Sequence, residues 1–228
     1  MQALGYEYVE LNNYSDVLAN FRKQICRFNS ARLIAIKGAA EFSDAEFRRL
    51  LSQIENFTVI QAAQHWQSSV VLELDNEKTV YIHFSSPDEK QNVYQIAHKI
   101  TMCKEYKNRY DVTLLINGIP TVQTALKRPS VDFTEAIHQV NRYQKDSYRG
   151  LFHFLQLFVV SNETVTKYFC NQNLYVNGQT NIINANSVFY WLNKDNERVI
   201  QLDSFADAVL NPARLTEILY KYMIIGFK

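Results

Sequence analysis

Apolar and polar positions alternate with two different periods along the chain, and the switches between them mark its elements. Residues 6–11 read as a short strand. Val17, Leu18, Phe21 and Ile25 then fall on one stripe of a helix that Ser15 can cap and that ends near Asn29. Ser43 opens a second helix with Phe47, Leu50, Leu51 and Ile54 facing inward, and residues 59–66 form a third, short helix or turn. Residues 68–74 and 79–84 alternate on either side of Asp75-Asn76-Glu77-Lys78, the pattern of a hairpin. The apolar positions Val93, Ile96, Ile100 and Met102 fit neither period cleanly.

The sharpest pattern lies between residues 110 and 143. Val112, Leu114 and Ile116 alternate with Asp111, Thr113 and Leu115, and Val122, Thr124 and Leu126 alternate with Gln123, Ala125 and Lys127. Asn117-Gly118 marks the turn between two strands. A two-residue turn would set apolar Val112 opposite polar Gln123. A three-residue turn over 117–119 with a glycine bulge sets Val112 opposite Thr124 and Asp111 opposite Ala125, and is preferred because a one-residue slip exchanges the faces of a strand. That register gathers Asp111, Gln123, Ala125 and Lys127 on one face and turns Val112, Leu114, Val122 and Leu126 to the core.

Further on, residues 152–160 make an apolar run suited to a buried central strand, and 165–170 the next strand. The Asn-rich stretch 171–186 reads as a surface loop with short strands. Phe189, Tyr190 and Trp191 form an aromatic cluster that suits core packing first and single-strand stacking second. Asp203 is placed to cap a helix reaching Leu210, and Pro212 suits the first turn of a last helix over 213–223.

Asp111, then Ala125-Leu126-Lys127 on the next strand, then a helix bearing Gln139-x-x-x-Tyr143 resembles the PD-(D/E)xK nuclease core with its Q-x-x-x-Y extension. NRYDVTLLINGIP, LKRP, EAIHQVNRY and LQLFVVSN resemble, more narrowly, the N-terminal endonuclease domain of the R subunit (HsdR) of type I restriction enzymes. The likeness runs through nearly the whole chain. It implies an α/β (α+β) fold, with a restriction-endonuclease-like central mixed β-sheet flanked by helices. It also implies metal-dependent hydrolysis of DNA phosphodiesters, with Mg2+ held by Asp111, a glutamate at position 125 and the backbone carbonyl of Leu126. Lys127 would orient the attacking water or stabilise developing charge. Gln139 and Tyr143 would hold their helix near DNA or couple nuclease to motor. Double-stranded DNA and the methyltransferase and specificity subunits are the implied partners.

The chain departs from this pattern at Ala125, where the family carries glutamate. Magnesium takes oxygen ligands, usually one or two carboxylates with waters and substrate phosphate. A lone aspartate is a poor site, so weak or absent Mg2+ binding and little or no DNA cleavage are expected. The alternative is a non-catalytic module that keeps the fold and binds DNA or docks into the complex. The family helix with acidic residues that precedes the GYEY segment is represented by Met1 to Leu4 alone. No G-x-x-x-x-G-K-[ST] loop is present, so ATP would act only through a separate motor region.

Composition changes this picture little. At 228 residues, 47% hydrophobic, the chain has material for one domain, with a helical part at 12–66, a core at 68–170 and C-terminal helices at 203–225 that lead toward the motor in the family. The net charge of +1 argues neither for nor against nucleic acid, yet between Lys99 and Arg149 nine basic residues stand against five acidic ones. Cys26, Cys103 and Cys170 read as free thiols, and the five histidines show no zinc spacing. The start lacks a signal-peptide pattern, and no apolar run approaches about twenty residues, so a cytoplasmic protein without membrane contact is expected.

Overall fold

The computed structural model describes residues 1–101, 109–146, 150–162, 164–171, 175–176, 179–180 and 188–223. Strand β1 (Glu7–Tyr8) is followed by helices α1 (Tyr14–Phe28), α2 (Ser30–Lys37), α3 (Asp44–Ile54) and α4 (Val59–Trp66). Strands β2 (Ser69–Glu73) and β3 (Thr79–His83) form a hairpin that is a sheet of its own. After them come β4 (Tyr94–Thr101), β5 (Arg109–Ile116), β6 (Ile119–Leu126), α5 (Phe133–Asp146), β7 (Leu157–Ser161) and β8 (Thr166–Cys170). Two short pairs follow, β9 (Tyr175–Val176) with β10 (Gln179–Thr180) and β11 (Trp191–Leu192) with β12 (Arg198–Val199). Helix α6 (Leu202–Phe205) widens into a π-helical turn over Ala206–Leu210, and α7 (Pro212–Glu217) does the same over Ile218–Tyr222.

The central sheet has the order β1-β4-β5-β6-β7-β8. β1 runs parallel to β4 and β6 parallel to β7, while the other neighbours are antiparallel. Parallel neighbours need a crossover, and α5 supplies it between β6 and β7, packing against both. The result is the mixed sheet flanked by helices that the sequence predicts. β7 is buried at all five positions, as a strand covered on both faces must be. Its Phe158 stacks on Phe169 of β8 with ring centroids 5.2 Å apart.

Helix starts follow capping chemistry more than stripe position. The cap of α1 is Asn13, not Ser15: the Asn13 side chain accepts from the Asp16 N–H at 3.1 Å, while the Asp16 carboxylate takes the N–H of Asn12 at 2.8 Å. Ser43 does cap α3, in a reciprocal box with Glu46, and Phe47, Leu50 and Ile54 form its buried stripe. Helix α2 was not legible, because Leu33 is its one buried side chain and no stripe arises. Asp203 is not the cap of α6. Gln201 holds that position without a side-chain bond, and Asp203 sits in the first turn, where its charge suits the helix dipole. Pro212 opens α7 as expected, with Asn211 capping.

Long-range hydrogen bonds tie the helices to the sheet and hairpin. Tyr6 Oη donates to the Leu210 carbonyl at 2.6 Å, and Trp66 Nε1 to the Phe154 carbonyl at 3.2 Å. Asn20 of α1 bonds Gln95 of β4 at 2.9 Å. Glu46, buried in α3, receives Lys37 Nζ, the Ser43 N–H and the Asp75 N–H, which locks α2, α3 and the β2–β3 turn together. Among the described residues no helix is long and apolar enough to cross a membrane.

Candidate active site

The candidate site is built by the β5–β6 hairpin, and the way its register arises differs from expectation. Asn117 and Gly118 have φ of 50° and 80°, and Ile116 pairs with Ile119, so the turn has two residues, both in the left-handed region that such turns require. The predicted three-residue turn is absent. Near the site, however, Val112 still pairs with Thr124, as predicted, because the register shifts by one between Leu114 and Leu115. Thr121 is the extra residue of this bulge. Its carbonyl accepts from the Gln156 N–H at 2.9 Å and its hydroxyl bonds the Ile119 carbonyl at 3.0 Å. Pro120, which has no N–H to give, is tolerated in a central strand because it lies where the ladder is already broken.

The turn is anchored from both sides. Asn117 is buried, its Oδ1 accepts from Val93 N–H at 2.8 Å, and its Nδ2 donates to the Phe84 carbonyl and to Asn92 Oδ1. Gly118 lies against α1, where a Cβ would stand 2.8 Å from Phe21 Cα.

Continuing the Val112–Thr124 register by one residue sets Asp111 across from Ala125, and Ala125 pairs in turn with Val160 of β7. Asp111 is half-buried, and its Oδ2 accepts from the Leu126 N–H at 2.9 Å. Ala125 is 3% exposed, a methyl group at the position where a second carboxylate would stand. Lys127 is half-buried just past the end of β6, its N–H bonded to the Ser161 carbonyl at 2.8 Å. Among the described residues its ammonium makes no ion pair, with Asp111 or with any other carboxylate. Lys99 of β4 stands on the other flank of Asp111. It has a φ of 64°, and the β4–β5 pairing skips it. Nothing in the sequence signals that, since positive φ is uncommon for lysine.

Two expected site features are corrected. Leu126 does not face the core but is 40% exposed, because it ends the strand beyond the cover of the core. Gln123, on the site face by parity, is 2% exposed and bridges the strands, accepting from Thr113 Oγ1 at 2.8 Å and donating to the Val112 carbonyl at 2.9 Å. It is a lock beneath the site rather than a group open to ligand. Gln139 is buried on α5 beside Val140. Tyr143 lies in the same helix, and its side chain falls outside the described residues. Asp132 fixes the start of α5 by accepting from Thr134 Oγ1 and N–H, which holds its carboxyl below the ordinary range.

The donor set can be tested against a divalent cation. Asp111 Oδ2 accepts a backbone N–H and leaves Oδ1 for a cation, the side chain at position 125 has no oxygen to offer, and the backbone carbonyl of Leu126 is the other donor the family pattern would use. Among the described residues no three His, Cys, Asp or Glu side chains come together. This is the minimum of what Mg2+ takes from a protein site, one carboxylate where the family pattern has two, and among the described residues the set fits the ion poorly.

Residues 1–175 match the family model described as the type I restriction enzyme R protein N terminus. The chain is 35% identical over 227 residues to the type I restriction enzyme SauMSSORF170P endonuclease subunit of Staphylococcus aureus (strain MSSA476), covering 99% of this chain and 23% of that relative. The SsaAORF53P endonuclease subunit of Staphylococcus saprophyticus is similar at the same identity and coverage. The EcoprrI endonuclease subunit of Escherichia coli is 32% identical over 245 residues, covering 96% of this chain and 69% of the relative. The chain thus spans about a quarter of the length of the staphylococcal subunits it matches.

Proposed function

Since the chain belongs to the family of type I restriction enzyme R protein N termini, we propose that it is the endonuclease domain of such a subunit, crippled by Ala125. The observation that carries this reading is the register of β5 and β6, which brings Asp111 beside position 125, with Lys127 two residues further on. In the family a divalent cation would supply charge neutralisation and an acidified water. The donor set of this chain does not suit that ion, so no cleavage step is assigned to it. Lys127 remains able to attract a phosphodiester oxygen, and Asp111 keeps the Leu126 amide and the strand end in place. In the longer subunit the domain would work beside an ATP-driven motor and join methyltransferase and specificity subunits on double-stranded DNA.

The test restores the missing oxygen ligands. Ala125→Glu should bind Mn2+ in calorimetry and nick supercoiled plasmid with Mg2+ or Mn2+, while the parent chain does neither. A parent chain that nicks as fast as the variant removes the two-carboxylate argument. The second reading, a module that binds DNA or docks without cutting, is favoured by the buried methyl at 125. It predicts that Ala125→Glu restores metal binding but no cleavage, while Lys127→Gln weakens DNA binding.

A further inference from the structure

The aromatic cluster at residues 189–191 is only partly core. Trp191 packs on Tyr168 with centroids 5.9 Å apart, but Phe189 is 54% exposed, and Tyr190 has become the seat of two cations. Lys167 Nζ lies 4.8 Å and Arg198 Cζ 4.6 Å from the centre of the Tyr190 ring. Register explains how three residues far apart in sequence meet. Tyr168 and Phe189 exchange both backbone bonds at 2.9 Å, which extends the sheet by one more segment and sets Tyr190 beside Lys167. β11 pairs with β12 as Leu192 with Arg198, so Arg198 shares the face of Tyr190 and reaches its ring diagonally.

The same registers relate this cluster to the candidate site. Lys167 pairs with Val160, Val160 with Ala125, and Ala125 lies across from Asp111. Residues paired side by side point to the same face of a sheet, so Asp111, Lys167 and Tyr190 belong to one row on one face. Three strand spacings of about 4.8 Å put the Asp111 and Lys167 backbones roughly 14 Å apart. Ala125 and Val160 between them are buried, so the Asp111 carboxylate and the Lys167 ammonium stand at the two ends of a covered strip.

We propose that Lys167, Tyr190 and Arg198 form a phosphate-binding patch that takes the backbone of duplex DNA alongside the Asp111–Lys127 end of the sheet. This rests on the reading of the chain as a DNA-handling nuclease domain. The chemistry suits a phosphodiester. A ring holds a cation through its quadrupole without neutralising it, whereas a carboxylate partner would cancel its charge. Among the described residues Arg198, an exposed side chain, has no carboxylate within ion-pair distance. A guanidinium fork such as that of Arg198 matches phosphate oxygens.

The test uses the whole chain with a duplex of about 30 base pairs and a single strand of the same length, titrated by anisotropy over a range of salt. Arg198→Gln should weaken duplex binding at low salt by about fivefold and lower the slope of log affinity against log salt by about 0.9, the share of one lost phosphate contact. Lys167→Gln should act in the same direction, and Lys78→Gln, on the β2–β3 turn, should do nothing. If Lys127→Gln weakens binding while Arg198→Gln and Lys167→Gln leave affinity and slope at parent values, the patch is refuted and the nuclease-domain reading stands. Loss confined to the single strand refutes the duplex assignment. A parent chain that binds neither probe refutes both the patch and the reading beneath it.

Discussion

Gly118→Ala tests the docking of the central hairpin, because two separate costs fall on one methyl group. The residue has a φ of 80°, where an L-residue loses about 1–2 kcal/mol relative to its usual conformations. The added Cβ would also stand 2.8 Å from Phe21 Cα and 3.2 Å from the Asn20 carbonyl oxygen, both backbone atoms of α1. Helix and turn would have to part, at a cost of about 1–3 kcal/mol typical of an overpacked core. Together these give a loss of about 2–5 kcal/mol, a large share of the 5–15 kcal/mol or so that holds a domain folded. Gly38→Ala is the matched comparison: its φ is 76°, but nothing lies within 4 Å of the added Cβ, so only the conformational cost of about 1–2 kcal/mol applies. Urea unfolding of both variants, followed by circular dichroism, gives the two losses. If Gly118→Ala is no less stable than Gly38→Ala, the close approach of turn and helix does not hold the hairpin.

Asn117→Ala removes three side-chain hydrogen bonds, one buried and two part-buried, and leaves a non-glycine residue at φ 50°, and should cost about 3 kcal/mol or more in the same assay; a loss under about 1 kcal/mol contradicts the anchoring role. Tyr6→Phe leaves the Leu210 carbonyl unpaired and should cost about 1–3 kcal/mol, with an unchanged unfolding midpoint as the contrary result. Burial pushes the Glu46 carboxyl up, but Lys37 and the N–H groups of Ser43 and Asp75 outweigh it and hold the folded value below the ordinary one. Its stabilisation is therefore complete above the unfolded glutamate value and is lost as pH falls through the folded one; Glu46→Ala should flatten that acid limb of the stability profile, and an equally steep limb in the variant rules the linkage out. Ala125→Glu is expected to bind Mn2+ more tightly than the parent chain in calorimetry, and equal binding by the two contradicts the role given to position 125.

The strands and stripes were legible where one face is buried and the other is not, as in α1, α3 and the β2–β3 hairpin. The register of β5 on β6 was read correctly near Asp111 for a partly wrong reason. Hydrophobic alternation demands Val112 opposite Thr124, and Gly118 in the turn points to a bulge there as the source of the extra residue. The chain instead places it at Thr121, where no glycine advertises it and where the Gln156 amide and the hydroxyl of Thr121 satisfy the disturbed backbone. Capping was misread at Ser15 and Asp203 because several residues able to cap stand close together, and the choice is made by geometry. The order Asp111, Ala125, Lys127 was visible in sequence, but the Asp111 bond to the Leu126 amide was not, nor was the meeting of Lys167, Tyr190 and Arg198, which depends on three pairings between distant segments.

The bulge at Thr121 divides the β5–β6 ribbon into two halves whose alignments are set independently. The half with the turn is keyed to α1 by Gly118, while the half carrying Asp111 takes its phase from the single surplus residue. Drawing Thr121 into the ladder would leave the tip seated and slip the lower half by one step, so that Thr124 came beside Asp111 while Ala125 and Lys127 swung to the opposite side. The bulge at one interior position thus acts as the phase setting of the site, and a regular ladder through Thr121 would scramble the chemistry of a hairpin whose outline stayed intact.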